Sequence, residues 1–260
     1  MNIVAHEDDD LLFMNPDVLH DIQQERCVRT VFVTAGDAGK GSAYWRQRAV
    51  GAQAAYARMA QTPSAWTHSD AGVDGHRIEV YTLQGHPHIS LVFLRLPDGD
   101  YFGDGFPTNG SQSLAKLRDK RIPTITSVDG INAYTRENLE DVIFSLLSAY
   151  GPEQIRIQDV AVQAYADHSD HSAVALMVKK IDSRYTFRHR LTSYRDYVDV
   201  FESQNVFGAD LEAKQRAFSD YAGFDDEIGD YTSFANIYHH YLKRQYIRLE
   251  TILPGNMRGP

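Results

Sequence analysis

The chain has 260 residues, 43% of them hydrophobic and 23% charged, the composition of a globular protein long enough to bury a full core. A net charge of -9, with 26 Lys and Arg scattered among 35 Asp and Glu, excludes general affinity for nucleic acid, because no basic stripe is there to meet phosphates. No run of about 18 apolar residues occurs, so no membrane span is expected, and Cys27, the single cysteine, excludes an internal disulfide.

In chain order, Ile3-Val4-Ala5 reads as a short buried strand, and it delivers His6, Glu7 and the carboxylates Asp8, Asp9 and Asp10 to the point where it must end. Like charges crowded in this way repel, so something must hold them. A divalent cation does so, because His and Asp are ordinary zinc ligands and strand ends of open α/β sheets bind ligands. A solvated turn, with Asp8 or Asp10 capping a helix from Leu11, does so too. The chain opens directly on this core strand, which fits a cytoplasmic protein or a mature form whose signal peptide has been removed.

Strand patterns follow at 28–34, 77–83, 89–94, 122–127 and 155–158, and helical patterns at 43–59 and 136–149. Cys27 is expected as a small buried hydrophobe at the start of the 28–34 strand. Thr135 suits a helix N-cap and Gly151-Pro152 a helix stop. Near-continuous apolar strands alternating with helices imply a Rossmann-like α/β domain, its mostly parallel sheet covered on both faces. Gly36 to Ser42 falls where a phosphate loop would be, but the spacing is wrong and Gly41 occupies the hydroxyl position. Residues 96–113, rich in Gly and Pro and carrying Tyr101, Phe102 and Phe106, form a loop too long for a plain connection; it is a packed surface loop or the wall of a pocket. His86 with His88, and His239 with His240, have no evident third ligand and are taken as non-ligands.

Beyond residue 181 the texture changes. Residues 184–195 are polar and strand-like or irregular, and helical patterns at 210–221 and 232–249 complete a helical C-terminal extension, treated as part of one domain (1–181 core, 182–260 extension). Phe234, Tyr238 and Tyr241 would share a helix face docked on the sheet, with stacking on sugars as the other use of such aromatics.

Ahead of that extension lies Ala166-Asp167-His168-Ser169-Asp170-His171, two histidines three apart at the start of a helix. With His6 and its acids they make a three-ligand zinc site with one position open for water. Ala-His-x-Asp-Asp followed by His-x-Asp-His resembles the zinc-dependent PIG-L/LmbE-like de-N-acetylase superfamily, and both motifs stand in the family's order and separation. The resemblance covers residues 2–181 and implies removal of an acetyl group from an N-acetylated amino sugar or glycoconjugate. It implies His6, Asp9 and His171 as zinc ligands, Asp8 as general base, and His168 as oxyanion stabiliser or acid. Asp170 would orient a ligand imidazole. More weakly it implies Asp37 for sugar hydroxyls and Arg48 for the polar substrate, although the Glu expected three residues after Arg48 is Gly51. Glu7 stands where the family has Pro, and Asp10 where it has Glu. A Tyr that some members carry two residues before His-x-x-His is here Ala166, with Tyr165 one position off. The alternatives are a metal-dependent hydrolase of another amide or ester, a divalent metal other than zinc, and a carbohydrate-binding protein that keeps the fold without turnover.

Overall fold

Segments rich in Val, Ile, Leu and Phe become strands buried on both faces. The computed structural model describes residues 1–160 and 167–255. Its elements are β1 (Asn2–Val4), α1 (Asp17–Gln23), β2 (Val28–Thr34), α2 (Ser42–Met59), β3 (Trp66–Asp70), β4 (Glu79–Leu83), β5 (Ile89–Leu96), α3 (Leu114–Arg118), β6 (Ile125–Thr126), β7 (Ala133–Tyr134), α4 (Arg136–Tyr150), β8 (Gln154–Gln158), α5 (Ser169–Asp182), β9 (His189–Tyr194), α6 (Gly208–Ala222), α7 (Ile237–Tyr241) and β10 (Ile247–Leu253).

Eight strands form one sheet in the order β10-β9-β8-β1-β2-β5-β4-β3. The central five, β9 to β5, run parallel, and β10, β4 and β3 extend the edges antiparallel. Along β2, alternate side chains serve opposite faces. Val31 and Val33 pack with Ile143 and Val174 of α4 and α5, whereas Phe32 packs with Ala52, Tyr56 and Phe218 of α2 and α6. Each such fully buried side chain contributes about 1.5–3 kcal/mol. Thr135 caps α4 by accepting from the Asn138 amide at 3.1 Å, and Gly151 ends it at φ 65°, as its position suggested.

Three expectations need correction. The 232–249 pattern is helical only over α7, which Asn236 caps, and Ile247 to Leu253 instead pair with β9. The aromatic spacing covered about one turn, and the β-branched Ile247, Thr251 and Ile252 favour the open sheet edge that follows. Phe234 consequently lies outside the helix and is 75% exposed, while Tyr241 is buried. The 122–127 pattern yields only β6, paired with β7 in a separate two-stranded ribbon. Cys27 is exposed, because it sits in the turn ahead of β2 rather than in the strand. The extension thus carries helices and also adds β9 and β10 to the main sheet.

A buried lysine ties this extension to the start of the chain. Lys214 on α6 donates from Nζ to the carbonyls of Leu12 and Arg244, both at 2.6 Å, and approaches that of Tyr241 at 3.5 Å. Burial pushes its ammonium down to about 7, against the opposing pull of Asp199. Replacing it by Met leaves buried carbonyls without a donor, so Lys214→Met is expected to lower unfolding stability by about 2–4 kcal/mol. Chemical denaturation checks this, and a midpoint equal to that of the parent would mean that the carbonyls find other partners.

Candidate metal centre

All five parallel strands bring polar residues to their carboxyl ends. β1 leads into His6 to Asp10, β2 into Gly36 and Asp37, β5 into Asp98, β8 into Asp159, and β9 into Asp196 and Tyr197. From β1 the chain builds toward β2 and β5 on one side and β8 and β9 on the other. The gap between β1 and β8 is therefore a topological switch point, where open α/β sheets bind ligands. His6 enters it from β1, and His168 and His171 from the first turn of α5.

The donors converge there. Ligand atoms of His6, His168 and His171 lie within 4.8 Å of one another. Asp9 spans the first and last of these, with Oδ1 3.0 Å from His171 Nε2 and Oδ2 3.6 Å from His6 Nδ1. Asp9 Oδ2 also accepts the His6 amide at 2.6 Å, which fixes the turn out of β1. His171 Nδ1 lies 2.7 Å from Asp167 Oδ1, so that nitrogen donates and Nε2 is left to accept a ligand. The Nε2 atoms of both His6 and His171 are buried without a hydrogen-bond partner, as is Asp170 Oδ1.

Electrostatics make the same demand. Burial disfavours the charged form of His6, but Asp9 and Asp170 outweigh it and raise the imidazole to about 10. Burial likewise opposes charge on His171, and Asp9 with Asp167 overcomes it, lifting that ring well above its ordinary range. Asp9, despite its burial, is held below the usual carboxylate range by His171 and His6. The cluster therefore takes up protons to balance its carboxylates, and a divalent cation would balance them in the same place. Two buried imidazole nitrogens without hydrogen-bond partners, His171 Nε2 against Asp9 and His6 Nε2 against Asp170, fit a metal of the zinc type.

His168 behaves differently. Burial and the charge of His6 push it down to about 4. Its Nδ1 accepts the Asp170 amide at 3.2 Å, so the neutral ring carries its proton on Nε2, 3.5 Å from Asp98 Oδ1. Asp170 sits between the two rings, 3.4 Å from His6 Nε2 and 3.7 Å from His168 Nδ1, and accepts the Gly99 amide at 2.8 Å.

Asp8 turns away from this pair. Its Oδ1 receives Arg48 Nη2 at 2.7 Å, and burial raises its carboxyl while Arg48 opposes the rise. Arg48 is itself buried, and its Nε and Nη1 donate inside the protein, to the Tyr221 hydroxyl and the Gly36 carbonyl. Gly51, where the resemblance expects Glu, lies against α6: a Cβ there would stand 2.9 Å from both the ring and the carbonyl of Tyr221. Asp37 is fully buried, with its oxygens accepting from the Asp98 and Gly39 amides and Asn109 Nδ2, so in this structure it fastens the 96–113 loop. Asp10 faces the core, where it accepts from Tyr56.

A cavity of about 480 Å³ opens over Asp8 and Asp9, walled by Tyr101, Tyr197, Phe201, Tyr238 and Tyr241. The 96–113 loop supplies Tyr101 and is fastened to α5 by Ser169, whose amide donates to the Tyr101 carbonyl and whose hydroxyl donates to that of Asp100. The other four come from beyond residue 182. His86 and His88 lie ahead of β5, at the opposite end of the sheet. Tyr165 and Ala166 lie outside the described residues. Sequence reasoning missed Asp98, Asp167 and Asp196; a rule that reads every strand's carboxyl end would have found the first and last, and the i, i+4 spacing to His171 the second.

Fold and site together define a Rossmann-like α/β protein with a histidine–carboxylate centre able to hold a metal ion. Residues 1–181 match the family described as PIG-L, GlcNAc-PI de-N-acetylase, and the chain belongs to that family. Comparison with curated protein sequences gives no match. Among solved structures the fold is similar to N,N'-diacetylchitobiose deacetylase from Pyrococcus horikoshii, at TM-score 0.53 and 13% identity over 98% of this chain and 83% of that one. It is also similar to a zinc-inhibited form of teicoplanin deacetylase Orf2, at TM-score 0.50 and 13% identity over 92% and 90%.

Proposed function

We propose that the protein is a metal-dependent deacetylase that hydrolyses the acetamide of an N-acetylated amino sugar or glycoconjugate. The observation that carries this is the meeting of His6, Asp9 and His171 at the switch point, with Asp8 beside them under an aromatic cavity. Family membership and the deacetylases of similar fold support the reaction class.

His6, Asp9 and His171 would hold the ion, zinc in this reading, which when bound supplies positive charge to polarise the acetamide carbonyl and to acidify a water. Asp8, held on Arg48 and facing the cavity, accepts the proton of the attacking water. His168, neutral and carrying its proton on Nε2, donates a hydrogen bond to the oxyanion, and the proton that Asp8 has taken passes to the departing amine. Asp167 and Asp170 keep the rings oriented. Tyr101, Tyr197 and Tyr238 line the cavity with aromatic surface against which a sugar ring packs. Water adds to the carbonyl carbon, the C–N bond breaks, and the products are acetate and the free amine.

The test is acetate release from a panel of N-acetylated sugars and their conjugates, set against simple esters and other amides, with metal content determined on the same preparation. About one metal per chain and turnover confined to acetamides on sugars is the expected result. Turnover of esters or unrelated amides instead would move the reading to another hydrolase on the same centre. Bound sugar without turnover at full metal loading would make it a binding protein.

A further inference from the structure

Arg48 sits at the centre of a buried network that reaches from the site into the C-terminal extension. Nη2 donates to Asp8 Oδ1 at 2.7 Å, Nη1 to the Gly36 carbonyl at 2.6 Å, and Nε to the Tyr221 hydroxyl at 2.7 Å. Behind the guanidinium lies Asp225, its Oδ2 3.1 Å from Arg48 Nε. The Tyr221 hydroxyl donates to Asp225 Oδ2 at 2.9 Å, and Tyr44 donates to Asp225 Oδ1 at 2.8 Å. Asp225 is thus a buried carboxylate with both oxygens engaged, and it does not line the cavity.

Two glycines make room for this arrangement. Gly36 has φ +48°, and a Cβ there would come within 2.0 Å of Arg48 Nη1. Gly51 lets α6 close on α2, which brings Tyr221 and Asp225 to the guanidinium. An unrestrained arginine loses rotamer freedom when it pairs with a carboxylate; one gripped on every nitrogen has already lost it. The carboxylate at the far end, Asp8, is then held in one orientation, which is what a proton acceptor beside the reacting water needs.

We propose that Asp225, acting with Tyr221 from the C-terminal extension, is a positioning residue that locks Arg48 and through it aims Asp8. The proposal rests on the deacetylase reading for its kinetic consequence. The network itself is a feature of the fold.

The test uses the full chain loaded with zinc and acetate release from an N-acetylglucosamine conjugate. In Asp225→Asn, kcat is expected to fall about 10- to 100-fold, with KM and zinc content unchanged. In an Asp8→Asn background the same substitution is expected to cost nothing further in the residual rate, because Asp225 acts only through Asp8. Tyr221→Phe, which keeps the ring against Gly51, should show a smaller loss of the same kind and covers the case in which Asp225→Asn folds poorly. A raised KM with unchanged kcat would make Arg48 a substrate contact, and losses that multiply in the double variant would make Asp225 merely structural; either overturns the proposal. Should the parent release no acetate from any substrate, the deacetylase reading fails separately. The network is then read by unfolding, where the midpoint shifts of Asp8→Asn and Asp225→Asn are expected to be non-additive; additive shifts would refute it.

Discussion

Replacing Asp8 by Asn is expected to lower kcat for acetate release by about 10²- to 10⁴-fold while leaving bound metal and KM close to those of the parent. Adjacent carboxylates seldom share a role when their partners differ. Asp9 Oδ1 and Oδ2 face His171 and His6, whereas Asp8 faces Arg48 and the cavity. Asn keeps the shape and an oxygen for Arg48 Nη2, so the substitution removes basicity and little else. Burial raises the Asp8 carboxyl above its ordinary value, which makes it a better proton acceptor than an exposed aspartate. Steady-state rates on one conjugate, with elemental analysis of the same sample, decide the matter. A variant with undiminished kcat would transfer the base role to another group, and Glu7, buried beside Arg48 and raised to about 8 by that burial against the opposing charge of Arg48, would be the next to test.

How much of this was legible in the sequence follows from how local each signal is. β2 and β5 announced themselves because strands covered on both faces are apolar at most positions, β8 through the alternating Ile155 and Ile157, and the two histidine motifs because each sits within one turn or strand end. The meeting of His6 with His171 required the parallel order of β1 and β8, and the alternation of strands and helices implied that order. Less legible were contacts set only by tertiary packing. Nothing near Arg48 in sequence shows that its acids are Asp8 and Asp225, 177 positions further on in the second case. Asp37 read equally well as an Asx cap or a ligand contact, which look alike in sequence; the folded 96–113 loop shows that Asp98 and Asn109 engage it. In the tail, one turn of aromatic spacing suggested a long helix, and the open edge of β9 drew the following residues into the sheet instead.

Asp9→Ala is expected to remove metal binding together with activity. Among the described residues Asp9 alone approaches both His6 and His171, and without it the two rings keep separate acids, Asp170 and Asp167, but share none. The effect is read without turnover. A ligand that binds only the native state stabilises it by RT ln(1 + [L]/Kd), about 2.7 kcal/mol at a hundredfold excess over Kd, so zinc should raise the unfolding midpoint of the parent and leave Asp9→Ala unmoved. Asp167→Asn, which weakens the hold on His171 Nδ1 but keeps every ligand, should show an intermediate shift, corresponding to a 10- to 100-fold loss of affinity. The informative contrast is His168→Ala. His6, His168 and His171 are close enough for three imidazoles to form the ligand set, with Asp9 outside it. If His168→Ala keeps the zinc-dependent shift and loses acetate release, His168 works on the substrate and Asp9 on the metal. Should the shift vanish in His168→Ala and persist in Asp9→Ala, the metal would sit among the three rings and Asp9 would be the carboxylate that orients them.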